Sequence, residues 1–510
     1  MTRIVLAEIL LAILLALLRG DLILAQECEE NAARPKSASA LYRADGGGER
    51  VVTFQPGADG VLRAIDAASG GELWAFAPAE LDSTHRADGL MTDVRVLRFD
   101  ADLNGSIEPA AGDRVWLYFG MRRSGRYYYA LDVTDSGNPQ LLWKLGPGEL
   151  PGLGETWSTP TIARVRIAGA AQNGEHFVLI VGGGYHETLS SARRIFMVDA
   201  ATGQLLWYAG APGTDAPDLV LPQMLDPIPA RIAVLDTDGD RYADRFYAAD
   251  LGGRIWRFDI WNGQDRSQLV TGGVLAALAD AAPENARRFF NAPDVALIQH
   301  RGGTPYYNLA IGSGNRAEPF DVQVHDRFYS IRDFNPFVKL AQSSHDMRIS
   351  SIDDDFLDIT DSLGSAAVPA TAAGWKLELR LNGSWSGEKV LTEALTVNGV
   401  ILFVAYKPLS AASCTGENRV YAVNVEQGNP ALDFNDDLQV DRDDASMELT
   451  QQGIAGEVEL TLPQPDANAP PRPGGEVAPD VACKVGTEAL RVCATIDGPM
   501  RTFWQRNSAD

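Results

Sequence analysis

The feature that most restricts the fold is a pair of short strands that recurs along the chain. An apolar strand, often ending in Gly, leads through a polar loop into a second strand that ends near Asp or Asn. The second members align as Val61-LRAIDAASG, Tyr127-YYALDVTDSG, Ile195-FMVDAATG, Ile255-WRFDIWNG, Phe328-YSIRDFN and Val420-YAVNVEQG. Their partners begin at Val51, Val115, Phe177, Arg245, Tyr307 and Val400. No stretch holds a sustained helical period, so alternating βαβ architectures are excluded. Repeated β units of this size close best as a propeller, in which each unit is a small twisted sheet and ring closure limits exposed edges.

Two units share a longer signature, Asp66-AASGGEL-Trp74 and Asp199-AATGQLL-Trp207, and a third keeps it loosely as Asp132-VTDSGNPQLL-Trp143. Gly70 and Gly203 make the turn, and each Trp is expected to pack between neighbouring sheets. This is a quinoprotein-like repeat, a packing motif that carries no chemistry of its own. The tail supplies EVELTLP, EALRVCATI and MRTFWQR, enough for a seventh unit. The expectation is an all-β, modified seven-bladed propeller with long inter-strand loops over 49–510. It is preceded by a secretory signal over 1–27 (Met-Thr-Arg, then IVLAEILLAILLALL) and a linker over 28–48.

The strongest chemical signal is Asp236-Thr-Asp238-Gly-Asp240-Arg-Tyr242-Ala-Asp244. Four carboxylates fall at positions 1, 3, 5 and 9, and two like charges about 5 Å apart repel by roughly 3 kcal/mol at an effective dielectric near 20. A hard cation taking six to eight oxygen ligands removes that cost, and the spacing matches the start of an EF-hand loop, with Tyr242 giving its backbone carbonyl. The spacing recurs twice. Asp100, Asp102, Asn104, Ser106 and Glu108 form a second candidate, with Gly105 for the sharp turn and Ile107 as an apolar anchor. Asp433, Asn435, Asp437, Gln439 and Asp441 form a third, without the Gly and inside an acidic run. Calcium is the expected ion.

The formal net charge of −24 excludes a nucleic-acid role, because phosphate binding needs a basic face. The six His form no H-x-x-x-H pair, and no G-x-S-x-G elbow or P-loop ending is present, so no catalytic set emerges. Cys28, Cys414, Cys483 and Cys493 lack the two-residue spacing of metal or redox motifs, which makes disulfides the default. Cys483 and Cys493 bracket a short segment and are the favoured local pair, although three connectivities exist. Beyond the leader, no apolar run is long enough to span a bilayer.

The block GDRVWLYFGMRRSGRYYYALDVTDSGNPQLLWKLG, followed by LGETWSTPTIARV, resembles the propeller domain of the PilY family of type IV pilus biogenesis and tip-adhesin proteins. So do VLDTDGDRYADRFYAADLGGRIWRFDI, IGSGNRAEPF, DRFYSIRD and GEKVLTEALTVNGVILFVAY, in the family's order over about residues 50 to 430. The resemblance implies a non-enzymatic, exported protein at the outer membrane, cell surface or pilus tip of a Gram-negative cell, working with the pilus and its minor pilins. It also implies a calcium loop that controls pilus extension and retraction, with ligands falling on Asp236, Asp238, Asp240, the Tyr242 carbonyl and Asp244. Adhesion through the long N-terminal region usual in that family is not part of the expectation. The alternatives are a pyrroloquinoline quinone dehydrogenase and a calcium-independent envelope scaffold. The quinone enzyme would be expected to carry a vicinal cysteine pair, and this sequence has none.

Overall fold

The computed structural model describes residues 35–43, 48–81, 91–101, 103–169, 174–213, 215–299, 302–345, 355–363, 367–381, 383–410, 415–461, 482–486 and 488–490. The leader, Cys28, Cys414, Cys493, Asp102 and the MRTFWQR strand lie outside them. The described residues form seven antiparallel blades in chain order. Blade 1 holds Ala38–Arg43, Glu49–Pro56, Leu62–Asp66 and Glu72–Phe76; blade 2 holds Arg95–Phe99, Arg114–Gly120, Tyr128–Asp132 and Gln140–Leu145. Blade 3 holds Thr161–Arg166, Glu175–Gly182, Arg194–Asp199 and Leu205–Gly210, with Leu219–Val220 added in parallel at the edge.

Blade 4 holds Ala233–Leu235, Arg245–Ala249, Arg254–Ile260 and Val270–Ala277. Blade 5 holds Asp294–Ile298, Tyr306–Gly312, Arg327–Asp333 and Gly374–Glu378, edged in parallel by Phe356–Asp358. In blade 6, Lys389–Val390 and Leu395–Val397 both pair with Val400–Ser410, followed by Thr415–Asn424 and Ser446–Leu449. Blade 7 holds Val458–Thr461, Ala482–Val485 and Glu488–Leu490. The strand pairs legible in the sequence are the second and third strands of blades 1 to 6. The span expected as a linker is partly wrong, because Ala38–Arg43 is the first strand of blade 1. Its alternate residues Ala40 and Tyr42 are buried, it pairs with Glu49–Pro56, and the Tyr42 hydroxyl donates to Val133 O at 2.8 Å.

The repeated turn has a simple chemistry. Asp66 Oδ1 accepts from Ala68 N, Ser69 N and Ser69 Oγ at 2.9–3.1 Å, and Asp199 Oδ1 accepts from Ala201 N, Thr202 N and Thr202 Oγ1 at 2.8–3.1 Å. The next residue must turn left-handed, and Gly70 (φ 70°) and Gly203 (φ 73°) do so without a Cβ penalty. The tryptophans then stitch blade to blade: Trp74 Nε1 donates to Ser136 O at 3.0 Å and Trp143 Nε1 to Ala200 O at 3.0 Å. Trp375 does the same from blade 5 to Val425 O at 2.9 Å, outside any repeat visible in the sequence. The apolar core accordingly lies between neighbouring blades, with Trp207, Trp256, Phe246 and Phe258 packed together between blades 3 and 4.

Cys483 is buried and disulfide-bonded, and Cys493, its expected partner, lies outside the described residues. No described helix is long and apolar enough to cross a membrane.

Candidate functional site: three acidic loops on one face

Antiparallel blades turn from strand one to two, and from three to four, on the same face of the ring. The Asp236 loop is the first such turn of blade 4, the Asp100 loop the first of blade 2, and the Asp433 loop the second of blade 6. All three candidates therefore share one face.

They also share one backbone. Position 1 accepts from the amide of position 6: Asp236 from Arg241, Asp100 from Gly105 and Asp433 from Leu438, at 2.7–2.8 Å. Position 5 accepts from the amide of position 7 in each case, at 2.8–2.9 Å. Positions 4 and 6 are left-handed throughout: Gly239 and Arg241, Leu103 and Gly105, Asp436 and Leu438, with φ between 58° and 86°. Arg241 and Leu438 thus take a conformation that usually falls to Gly. The inward hydrogen bonds hold them there against about 1 kcal/mol or more of strain.

In the first loop, carboxylate oxygens of Asp236, Asp238 and Asp244 lie within 4.8 Å of one another. Asp240 stands outside that set, and burial together with Asp238, Asp244 and Asp236 pushes its carboxyl above the usual range. Asp244 is buried at 3% exposure, and Thr237 N and Thr237 Oγ1 donate to its Oδ2, each at 2.9 Å. Its Oδ1 accepts from Lys339 Nζ at 2.7 Å. Burial alone raises the Asp244 carboxyl, but Lys339 and the Thr237 donors outweigh it and hold it below the usual range. One convergent carboxylate is therefore already held by a cation of the chain itself. Tyr242 clamps the loop to blade 3: its hydroxyl bonds Glu175 and its ring lies 3.9 Å beneath the Arg166 guanidinium.

Sequence spacing missed Lys339, which arrives from the segment after the third strand of blade 5. Arg245 donates to Asn335 O, Pro336 O and Val338 O at 2.8–3.0 Å, and Leu340 N donates to Asp259 Oδ2 at 2.9 Å. Arg245 and Arg257 pair with the buried Asp259, and Arg257 also with Asp333. This buried quartet positions the strap, so its cost in desolvation is met by charge pairing and forked hydrogen bonds.

The third loop gathers Asp433, Asp437 and Asp444, again within 4.8 Å. Asp441, expected as the position-9 ligand, instead caps the short turn Arg442–Asp444, accepting from Asp443 N at 2.9 Å. Asp444 takes its place at position 12, the position of the closing carboxylate in an EF-hand loop. It is fully buried and accepts from Phe434 N, Asn435 N and Asp441 N at 2.8–3.3 Å. Asn435 Oδ1 accepts from Asp437 N, while Gln439 donates its amide to Asp437.

The second loop is committed differently. Glu108 pairs with Arg43 and accepts from Asn104 Nδ2 at 3.0 Å, and Ser106 donates to Asn104 Oδ1 at 2.9 Å. The buried Asp113 anchors the loop through Ala101 N and Glu108 N, at 2.8 and 2.7 Å. Ile107 is buried as expected and bridges to blade 1. Asp102 lies outside the described residues. Glu108, turned to Arg43, does not join a cation set.

No sequence-family profile matches the chain. It is 25% identical over 396 residues to the type IV pilus biogenesis factor PilY1 of Pseudomonas aeruginosa PAO1, covering 69% of this chain and 32% of that protein. A PilY1 homolog of Xylella fastidiosa Temecula1 is 26% identical over 400 residues, covering 73% of this chain and 26% of that protein. The chain thus spans a third or less of the length of these relatives. The crystal structure of the P. aeruginosa PilY1 C-terminal domain superposes with a TM-score of 0.60 at 19% identity, over 86% of this chain and 92% of that one. The fold is that of the PilY1 C-terminal domain, and these likenesses together support a β-propeller domain of the PilY family.

Proposed function

We propose that this propeller is a calcium-binding, non-enzymatic component of type IV pilus biogenesis, exported to the outer membrane, cell surface or pilus tip. There it modulates pilus assembly, extension and retraction through contacts with the pilus and its minor pilins. Kinship with pilus biogenesis factors supports the pilus role. The observation that carries the cation is the convergence of Asp236, Asp238 and Asp244 within 4.8 Å on a loop whose backbone fits an EF-hand start. An all-oxygen, carboxylate-rich donor set suits calcium better than the softer transition metals. Asp236, Asp238, Asp244 and the Tyr242 carbonyl would hold the ion in blade 4, and Asp433, Asp437 and Asp444 a second in blade 6. Bound calcium would neutralise acidic loops on one face and so change which charged surface that face accepts.

The test is calcium titration of the purified chain by calorimetry. Asp238→Asn should weaken the blade 4 site at least ten-fold, and in a piliated host the same substitution should change pilus number or twitching. A wild-type chain that binds no calcium at millimolar concentration defeats the cation proposal. Unchanged pili in a strain lacking the protein defeat the pilus proposal.

A further inference from the structure

Along the ring axis, two adjoining cavities of about 830 and 420 Å³ open among the first strands of the blades, the larger reaching Leu235. They are lined by residues at and just before the first strands of the blades. That volume is in the range of small-molecule sites. The lining is charged in an ordered way: Lys36, Arg95 and Arg231 come from blades 1, 2 and 4, and Asp294, Glu393, Glu457 and Glu459 from blades 5, 6 and 7, with Glu459 paired to Lys484 at 3.0 Å.

Most of these charges are neutralised within the ring. Arg231 forks onto Glu393 at 2.7 and 3.1 Å, and Lys36 pairs with Glu457. Asp294 accepts from Thr396 N at 2.6 Å. Arg95 is different. Its nearest carboxylate is Asp93, 3.7 Å away, and the other Asp93 oxygen already accepts from Lys36 N at 2.9 Å. Burial and the neighbouring Arg231 work against the Arg95 charge and outweigh the support of Asp93 and Glu393.

Two further polar atoms on the wall of the smaller cavity have no hydrogen-bond partner among the described residues, Asn291 Nδ2 and Thr392 Oγ1, and Arg95 Nε is a third. Asn291 and Thr392 are each 7% exposed. Buried donors left in such numbers are costly, at about 1–3 kcal/mol each, unless a ligand or solvent accepts from them. What the wall offers is donors, with one under-neutralised guanidinium among them. An acceptor-rich anion answers that chemistry, and a planar carboxylate matches the Arg fork best.

We propose that the axial cavity is a carboxylate-binding site, with Arg95 as the anchoring cation and Asn291 and Thr392 as supporting donors. The group arrives either on a small organic acid or as the carboxyl end of a peptide threading the axis. Trp157, held under the Arg122 guanidinium at 4.7 Å, lines the smaller cavity. The site is independent of the calcium loops.

The full-length chain, with calcium present, is titrated calorimetrically with malonate, malonamide, the peptide Ac-Gly-Gly-Ala bearing a free carboxylate, and the same peptide amidated. At least one acid should bind, its amide at least ten-fold more weakly. Arg95→Gln should weaken the acid at least ten-fold while circular dichroism and the melting temperature stay near wild type. Thr392→Val, which keeps the side-chain shape, should weaken it two- to five-fold and serves if Arg95→Gln does not fold. Preference for malonate assigns a small acid, and preference for the peptide assigns a chain end. Absence of acid binding at 10 mM, equal binding of acid and amide, or unchanged affinity in folded Arg95→Gln each overturns the proposal.

Discussion

Replacing Lys339 with Met separates the blade 4 loop's own counter-charge from any bound ion. Lys339 Nζ lies 2.7 Å from Asp244 Oδ1, the carboxylate is 3% exposed, and the lysine side chain is 30% exposed. Breaking a buried pair by removing one partner costs about 3–5 kcal/mol. The half-open lysine and the two Thr237 donors reduce this, and about 2 kcal/mol is expected for the calcium-free chain. Calcium then meets a carboxylate that no longer has an internal cation to displace. Its affinity should rise ten-fold or more, which corresponds to about 1.4 kcal/mol. Melting in EGTA and in calcium, with calorimetric titration alongside, reads both effects. The variant should melt earlier than wild type in EGTA and recover most of the difference in calcium. A variant that binds calcium no more tightly, or stays destabilised in saturating calcium, refutes the idea that Lys339 and the ion compete for Asp244.

Other outcomes follow from named contacts. Asp444→Ala removes the carboxylate that gathers three backbone amides of the blade 6 loop, and should weaken calcium there at least ten-fold while leaving the Asp236 loop unaffected; site-resolved titration by NMR distinguishes the two. Burial pushes the Asp294 carboxyl up to about 6. A raised folded pKa means the folded chain holds its proton longer than the unfolded one, so this group's contribution to stability is full below about pH 4 and is lost as pH rises through 6. Because Asp294 lines a cavity and is only partly buried, the loss should be near 1 kcal/mol. Asp294→Asn should flatten that part of the stability profile measured by urea unfolding from pH 4 to 8. Trp143→Phe leaves the Ala200 carbonyl without its indole donor across the blade 2–blade 3 seam, and should cost about 1–2 kcal/mol in the same assay, with the fold retained.

The propeller was legible because its evidence is local. Alternating apolar residues, the Asp-x-x-Ser/Thr-Gly turn and the Trp that follows are set within a dozen residues, and each does in the structure what its side chain permits. Ala38–Arg43 carries no clear alternation, with Leu41 and Tyr42 adjacent, and only pairing with Glu49–Pro56 makes it a strand. The acidic loops were legible for the same reason as the turns. Alternate carboxylates repel wherever they fold, so their spacing alone marks loops that need a counter-charge.

The partners of those carboxylates were not legible. Lys339 lies 95 residues beyond Asp244, and its place depends on a strap held by Arg245, Arg257 and Asp259. Left-handed Arg241 and Leu438 carry no sequence mark, because the hydrogen bonds that hold them close only in the finished loop. The sequence by itself determined the repeat, the ring and the acidic loops, since each rests on interactions between near neighbours. Only the tertiary structure decided which carboxylates converge, which are already neutralised, and that an under-neutralised arginine faces the axis. The first depends on hydrogen bonds that close only in the folded loop and the other two on charges brought together from different blades, and no local pattern records such distances.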